Sequence, residues 1–291
     1  MTRTLAALCF ASVATAAAAQ DAARWYLQVD NDVVFGTDRW YSSGVRLARV
    51  QRYGSHEIEV GVLQEIYTPE ARFFERGRTD RAPTARLLLS LARHDRSAEL
   101  FQTLELAAGV NGPAALGRQA SDLIHRVIAA PEVDWSRQEG NRFDGSLIAA
   151  RTHDFGFANL HYGVVAGTRV AFAHAGGELR MGAGGARSIS SPMLRFAATP
   201  PFPVDGAGLE GWGAFVGASG RAVARNELLA RGYEVDAPSL DRTRGIARIA
   251  AGVTWAHAWG SVAFAVAQDS REFERQRKPH RFGSLTVHAA F

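Results

Sequence analysis

Along most of the chain, hydrophobic residues alternate one by one with polar or small residues. In the segment 246–257, Ile249, Val253 and Trp255 lie on one side of an extended chain, and Arg248 and Thr254 lie on the other. The same period of two recurs in several other segments, among them 56–66, 157–168, 261–273 and 282–291. Such alternation is typical of β-strands with one apolar face. It predicts an all-β protein.

Twelve segments have this pattern, and each is about ten residues or longer, the length that a tilted strand needs to cross a bilayer. We predict strands at 24–34, 42–52, 56–66, 84–94, 98–109, 143–154, 157–168, 178–190, 211–225, 243–257, 261–273 and 282–291. An even number of strands suits a closed antiparallel barrel, whose apolar faces contact lipid. A secreted β-sandwich is the alternative, and it would bury those faces inside.

Aromatic residues near the ends of the predicted strands favour the membrane barrel. They occur at Trp25-Tyr26, Trp40-Tyr41, Trp255 and Trp259, and the last strand closes on Phe291. Aromatic girdles at both membrane interfaces mark outer-membrane barrels. We therefore predict a twelve-stranded antiparallel transmembrane β-barrel of the outer membrane, forming one domain over residues 20–291.

The first 19 residues differ from the rest of the chain. A basic start at Arg3 precedes an apolar stretch, which closes on the small residues Ala17-Ala18-Ala19. This order is typical of a secretory signal peptide, so we predict that 1–19 is an export signal. The single cysteine, Cys9, lies within it, which excludes a disulfide framework and a cysteine-based zinc site in the mature chain.

Composition narrows the function classes. The chain has 291 residues, of which 47% are hydrophobic and 21% are charged, and this balance excludes a disordered chain. A net charge of +4 gives no reason to expect nucleic-acid binding. The basic residues are nearly all arginine, and Lys278 is the single lysine. The arginines would either hold lipopolysaccharide phosphates or pair inside the lumen with acids such as Glu57, Glu59 and Glu105.

One segment, 113–129, has helical rather than strand periodicity. Apolar residues such as Leu116, Leu123 and Val127 recur on one side, and Arg118, Asp122 and His125 share the other. Strands take the lipid-facing positions of a barrel, so this helix is expected in a loop, in the lumen or at the rim. Its polar stripe then faces a functional site, or it meets the lumen wall as part of a plug.

The segment 30–44 carries an unusual set of polar residues. Asn31-Asp32 ends the first predicted strand, Asp38-Arg39 follows, and Tyr41-Ser42 opens the second strand. This arrangement resembles the opening signature of the lipid A 3′-O-deacylase family, the LpxR type. Further blocks follow in the family's order: Gln64 to Pro69, Gly112 to Gly117, His125-Arg126, Trp135 with Gln138 and Asn141, and Glu272-Phe273 with Gln276.

The resemblance implies a twelve-stranded outer-membrane barrel that hydrolyses the 3′-linked acyloxyacyl esters of lipid A, the membrane anchor of lipopolysaccharide, with calcium as cofactor. It places the active site between the barrel wall and the helix, and we expect a monomer. His125 matches the family's catalytic histidine and would be the general base for water. Asn31 and Asp32 match the family's Asn-Asp pair and would offer the oxygen ligands that calcium prefers. The calcium ion would stabilise the oxyanion.

Three features of the sequence test whether the family's residue roles apply to this chain. Asn31 and Asp32 are adjacent, so they can serve one site only if the strand ends or bulges there. Ser42 stands where the family has threonine, and the alternation of its strand predicts that it faces the lumen. The family's active-site lysine has no counterpart here; Arg72, Arg76 and Arg78 are the candidates, and the sequence does not choose between them.

Two other functions remain open. A barrel hydrolase of the same family could act on another acyl ester, such as that of a phospholipid. A barrel without catalytic activity, either a pore or a structural protein, is the other alternative. Twelve strands with a helix and many arginines leave little open lumen, which argues against a wide pore.

Overall fold

The computed structural model describes residues 23–70, 80–97, 99–182, 188–189, 202–203, 210–229, 242–274 and 276–290. Within these residues, twelve strands close into one antiparallel barrel in chain order, with the first strand paired to the last. The all-β barrel predicted from the alternation is confirmed. The predicted signal peptide 1–19 and the terminal Phe291 lie outside the described residues.

The barrel strands are β1 Arg24–Asn31, β2 Trp40–Tyr53, β3 His56–Thr68, β4 Thr84–Arg96, β5 Leu100–Asn111, β6 Arg142–Asp154, β7 Ala158–Gly167, β8 Val170–Met181, β9 Gly211–Asn226, β10 Gly245–His257, β11 Gly260–Asp269 and β12 His280–Ala290. A separate two-stranded ribbon pairs Ser188–Ile189 with Phe202–Pro203.

The barrel wall has an apolar outer face and a polar inner face. On β5, Leu104 and Leu106 are exposed on the outside, whereas Glu105 between them is buried in the lumen. Ion pairs lie within that lumen: Arg46 contacts Glu59, and Arg46 Nη1 lies 3.6 Å from Glu105 Oε1. Further pairs join Arg86 Nε to Asp144 Oδ2 at 3.0 Å and Arg221 Nη2 to Asp269 Oδ2 at 2.6 Å. For these arginines, lumen ion pairing is therefore the correct interpretation.

The connections differ in length between the two ends of the barrel. At the end that holds Arg24, four connections are only two or three residues long, at 54–55, 97–99, 155–157 and 258–259. The opposite end carries the long connections 69–83 and 112–141. Short turns are periplasmic and long loops extracellular in outer-membrane barrels, so the long-loop end is the extracellular one. Two connections depart from this rule: 182–210 is long and lies at the short-turn end, and 168–169 is short and lies at the long-loop end.

Three predicted strands differ from the structure by three residues or more at an end, and one of them, expected at 261–273, ends at Asp269. The eighth was expected at 178–190 but runs from Val170 to Met181. Its first half carries Val170 and Phe172 inward and small residues outward, the reverse of the membrane pattern, and Gly176-Gly177 looks like a turn in the sequence. The first strand ends at Asn31 rather than at 34, because Val33–Phe35 form a 3-10 turn, here called the 33–35 turn.

The aromatic residues are only partly a girdle. Trp25 and Trp259 are exposed on the outside, as the girdle interpretation requires. Tyr26, Trp40 and Tyr41 are buried instead, so that interpretation is wrong for them. Trp40 packs against Phe273 with perpendicular rings 6.2 Å apart, and its Nε1 donates to Asp80 Oδ2 at 2.7 Å. Trp40 and Tyr41 stabilise the extracellular end from within, whereas Tyr26 lies near Arg24 at the other end of the barrel.

The predicted helix exists as α1, Gly117–Ile128, preceded by a 3-10 turn at Pro113–Ala115. No helix in the described part of the chain is long and apolar enough to span a membrane. The surface of α1 that faces the barrel is small and polar, with Gly117, Ser121 and His125 buried, while Leu123 is 59% and Val127 77% exposed. Its apolar stripe therefore points away from the protein.

α1 lies on the outside of the barrel. It packs over Ile66 of β3 and Ala85 of β4, which share the outer faces of their strands with the exposed Val60 and Leu89. A Cβ on Gly117 would come within 2.2 Å of the Ala85 Cβ, so glycine permits this close approach. A plug helix in the lumen is excluded. The helix covers the outer wall at the extracellular end.

Candidate active site

A small cavity, partly open to the surroundings, lies between α1 and the outer wall of the barrel, at the extracellular end. All four sequence-predicted site residues, Asn31, Asp32, Ser42 and His125, line it. The rest of its lining comes from Val33, Thr37, Asp38, Ser43, Ile66, Ser121, Ile124 and Ile128. The structure thus brings together residues from four separate stretches of sequence.

Oxygen atoms hold both ring nitrogens of His125. Nδ1–H donates to the Pro131 carbonyl oxygen just after α1, and Nε2 lies 2.8 Å from Asp38 Oδ2. The side chain is 5% exposed. The hydrogen bond with Asp38 raises the pKa of His125 above its usual value, burial opposes this rise, and the Pro131 contact supports it. The protonated ring satisfies both oxygens, and the contact with Pro131 leaves Nε2 as the nitrogen able to take a proton.

The adjacent Asn31 and Asp32 reach one cavity because β1 ends between them. Asn31 is the last residue of the strand, and Asp32 turns into a helical backbone conformation with φ −89° and ψ −7°. Asn31 Oδ1 accepts from the Val33 amide at 2.7 Å. Asp32 Oδ2 accepts from Thr37 Oγ1 at 2.8 Å and from the Arg39 amide at 3.0 Å. The end of the strand, required by the sequence argument, is therefore present.

The prediction that Ser42 faces the lumen is wrong, because β2 contains a β-bulge at this residue. Tyr41 pairs with Tyr67 and Ser43 with Ile66, which leaves Ser42 as the extra residue. Tyr41 points into the lumen, where its hydroxyl donates to Asp30 Oδ2 at 2.9 Å. Ser42 and Ser43 both line the outer cavity, and Ser42 Oγ donates to the Ile66 carbonyl at 3.3 Å. The bulge shifts the alternation by one residue and turns a predicted lumen residue toward the helix.

The donor atoms of the cavity fit a hard cation. Burial, and next the negative charge of Asp38, raise the pKa of the Asp32 carboxyl well above its usual value. A divalent cation would relieve the repulsion between these two carboxylates, and calcium prefers oxygen ligands of the kinds that Asn31, Asp32 and Ser42 offer. In the described residues, no group of three or more His, Cys, Asp or Glu side chains could hold a metal. A calcium ion here would need amide, hydroxyl, backbone or water oxygens besides Asp32.

Sequence reasoning missed the partner of His125. Asp38 was noticed only as part of a signature, yet its Oδ1 accepts from Thr68 Oγ1 at 3.2 Å and its Oδ2 meets the imidazole. Thr37, Ser43 and Ser121 were missed as well. The sequence did contain one signal for Asp38, which is an acidic residue in the loop that follows Asn31-Asp32. The alternation of polar and apolar residues could not interpret it, because that pattern describes strands and not loops.

Residues after α1 hold the helix and the following loop in place. Trp135 is buried beneath the helix with Ile66 and Ala85, and Asn141 Oδ1 accepts from the Ala114 amide at 2.8 Å. Both residues belong to the blocks singled out in the sequence, and they have a supporting position rather than a place in the cavity. The candidates for the missing lysine, Arg72, Arg76 and Arg78, lie outside the described residues.

Comparison with known proteins gives a family match over nearly the whole chain. The family model described as outer membrane protein LpxR matches residues 4–291. The solved structure of LpxR from Salmonella typhimurium superposes with a TM-score of 0.75 at 19% identity, covering 92% of this chain and 100% of that one. The translocator domain of the autotransporter NalP from Neisseria meningitidis has a TM-score of 0.50 at 10% identity, covering 93% and 88%. Among curated proteins, no sequence matches this chain.

Proposed function

Because this chain belongs to the LpxR family of outer-membrane proteins, we propose that it is a lipid A 3′-O-deacylase that releases the acyloxyacyl group by ester hydrolysis. One observation carries the proposal. The His125–Asp38 pair lies in a polar cavity on the lipid-facing side of the barrel wall, at the extracellular end. Lipid A lies in the outer leaflet, so its ester bonds and this cavity are on the same side of the membrane.

The chemistry follows from His125. Its Nε2 takes a proton from water, and the water oxygen bonds to the ester carbonyl carbon. The tetrahedral intermediate then breaks its bond to the sugar oxygen, which receives the proton from Nε2 and leaves as the hydroxyl. The Pro131 carbonyl keeps the ring oriented through Nδ1–H. Since Asp38 occupies Nε2 in the structure, the water must take the place of that contact or enter between the two groups.

Calcium is the cofactor that we propose for this site, held by Asn31 and Asp32. When bound, it would supply positive charge that stabilises the oxyanion. The backbone supports both ligands, since Thr37 and Arg39 fix the Asp32 carboxylate and the Val33 amide fixes Asn31. This fixed arrangement keeps two oxygen donors at the end of β1.

We test the activity by mass spectrometry of lipid A from cells that lack a deacylase of this type and express the protein. Wild type should remove the 3′ acyloxyacyl group, and His125→Ala should slow the reaction by about 10²–10⁴-fold, the usual contribution of a general base. His153→Ala is the matched control, because His153 lies on β6 at the opposite end of the barrel. Unchanged lipid A with folded wild type, with and without calcium, would contradict the proposal. Release of phospholipid acyl chains alone would favour the other hydrolase.

Calcium dependence has its own test. Chelation should abolish activity of the wild type and calcium should restore it. Calcium should also raise the temperature at which the purified barrel unfolds, since a ligand that binds only the native state stabilises it. Asp32→Asn should lose both effects. A calcium-independent wild type would leave the esterase proposal standing and remove the metal from it.

A further inference from the structure

Two apolar segments flank the cavity on the outside of the barrel. On one side is the 33–35 turn, whose Val34 packs on β12: a Cβ on Gly283 would come within 2.9 Å of Val34 Cγ2. On the other side is α1, whose Ile124 and Ile128 line the same cavity as Val33. The side chains of Val33, Val34, Phe35 and Ile128 are exposed, although each is apolar.

Between these two segments, the outer faces of β1 and β2 form a continuous apolar stripe that leads away from the cavity. At the extracellular end of this stripe, Asn31 pairs with Ser43, and both line the cavity. Below them Val29 pairs with Val45, and next Leu27 pairs with Leu47. All four apolar side chains are exposed on the lipid side. The four residue steps from Asn31 to Leu27 span about 14 Å along the strand.

We propose that this stripe, the β1–β2 track, holds the fatty acyl chain of the ester that is cleaved. The inference rests on the proposed function, since it concerns the same ester. A chain in the outer leaflet runs from its ester at the interface toward the bilayer centre, and the track runs in the same direction from the polar cavity. The two apolar segments enclose its extracellular end. Val45 and Leu47 would then set which chain lengths fit.

The occupant is the chain of lipid A rather than bulk membrane lipid. A segment that only anchored the protein in the membrane would not need to line a cavity with the catalytic histidine, as Val33, Ile124 and Ile128 do. Apolar contacts along the track contribute binding energy to the reaction only when the track holds the acyl chain of the ester that is being cleaved. Chain length should therefore affect the reaction itself.

The test uses tryptophan substitutions at two depths of the track. Purified wild type, Val45→Trp and Leu47→Trp are assayed on lipid A species that differ in the length of the 3′ acyl chain. The control is Val253→Trp, on the outer face of β10 away from the site, where Val253 is also exposed. Because each buried methylene contributes strongly to binding, Val45→Trp should lower kcat/KM for long chains about tenfold or more and leave the shortest chain within about twofold. Leu47→Trp should affect only the longest chains.

Each result separates this inference from the proposed function. A wild type inactive on every lipid A species removes the deacylase proposal itself. An active wild type whose two track variants behave like Val253→Trp, or slow all chain lengths equally, overturns the track. A chain-length shift seen only on phospholipids assigns the track to phospholipid and overturns lipid A as the occupant. The folded state of each variant is checked by its heat-modifiable mobility on gels, and Leu47→Trp still tests the track if Val45→Trp does not fold.

Discussion

At the scale of single residues, the contact between His125 and Asp38 would determine when His125 can act as the general base that we propose. The carboxylate raises the pKa of His125, so the ring stays protonated to higher pH than a free imidazole. A general base must be unprotonated, and activity should therefore be lost as the pH falls through this raised pKa.

Replacement of Asp38 by asparagine tests this role through the pH profile. The amide can still accept a hydrogen bond but has no charge to stabilise the imidazolium, so the pKa of His125 falls. The acid limb of the kcat/KM profile should move to lower pH in Asp38→Asn, measured against wild type over the same buffers. A profile that keeps its position while the rate falls uniformly would show that Asp38 has only a structural role.

The sequence could predict the residues of the site that belong to its signature, and it could not predict their partners. Asn31, Asp32, Ser42 and His125 were found through the family resemblance, and the structure brings all four to one cavity. Asp38 was missed because a hydrogen bond across 87 positions between a loop and a helix leaves no local pattern. Their chemical roles remain predictions.

At the scale of elements, α1 is amphipathic in the opposite sense to a helix of a soluble protein. Its small and polar stripe contacts the wall, and its apolar stripe faces the surroundings. The spacing of Leu116, Leu123 and Val127 correctly predicted the helix, but periodicity gives only the direction of the apolar face and not what lies against it. Lipid rather than protein covers that face in an outer-membrane protein.

The approach of α1 to the wall can be tested at Gly117. A larger side chain would meet Ala85 and Trp135, so Gly117→Val should push the helix away and move His125 from its place. We expect activity to fall more than tenfold, since misplacement by about 1 Å can cost 10²-fold, while the barrel keeps its heat-modifiable mobility. Gly140→Ala is the control in the same loop, because a Cβ there meets nothing within 4 Å. Equal activity of the two variants would contradict this account.

Alternation predicts strands only where the inner and outer faces differ in polarity. Most predicted strands were confirmed for that reason. β8 was misplaced because its extracellular half reverses the usual polarity, with Val170 and Phe172 turned inward. The bulge at Ser42 could not be predicted, since one inserted residue changes the pairing without changing the composition.

At the scale of the whole molecule, buried ion pairs line the lumen around an internal cavity, and the lumen residues do not line the candidate site. Arg46 on β2, Arg86 on β4 and Arg221 on β9 are buried in the lumen and paired with acids. The candidate cavity lies outside the wall, so the proposed reaction would take place on the outer surface of the barrel and not inside it.

This arrangement predicts that the protein is not a pore. In planar bilayers, purified wild type should give no steady conductance steps, because paired side chains occupy the space through which ions would pass. The measurement should be repeated with His125→Ala, which leaves the lumen unchanged and must behave in the same way. Stable open channels in both proteins would support the non-catalytic alternative.

A cavity that opens sideways onto the membrane also changes how substrate is met. An enzyme with its cavity in water encounters substrate by diffusion in three dimensions, whereas the lipid substrate proposed here would arrive by lateral movement within one leaflet. The relevant concentration is then the mole fraction of lipid A in that leaflet, not its amount per volume. Dilution with buffer would leave the rate unchanged, and dilution with other lipids or with detergent would lower it. The released fatty acyl group would likewise remain in the membrane plane, where it competes with the next substrate molecule for the same lateral entrance.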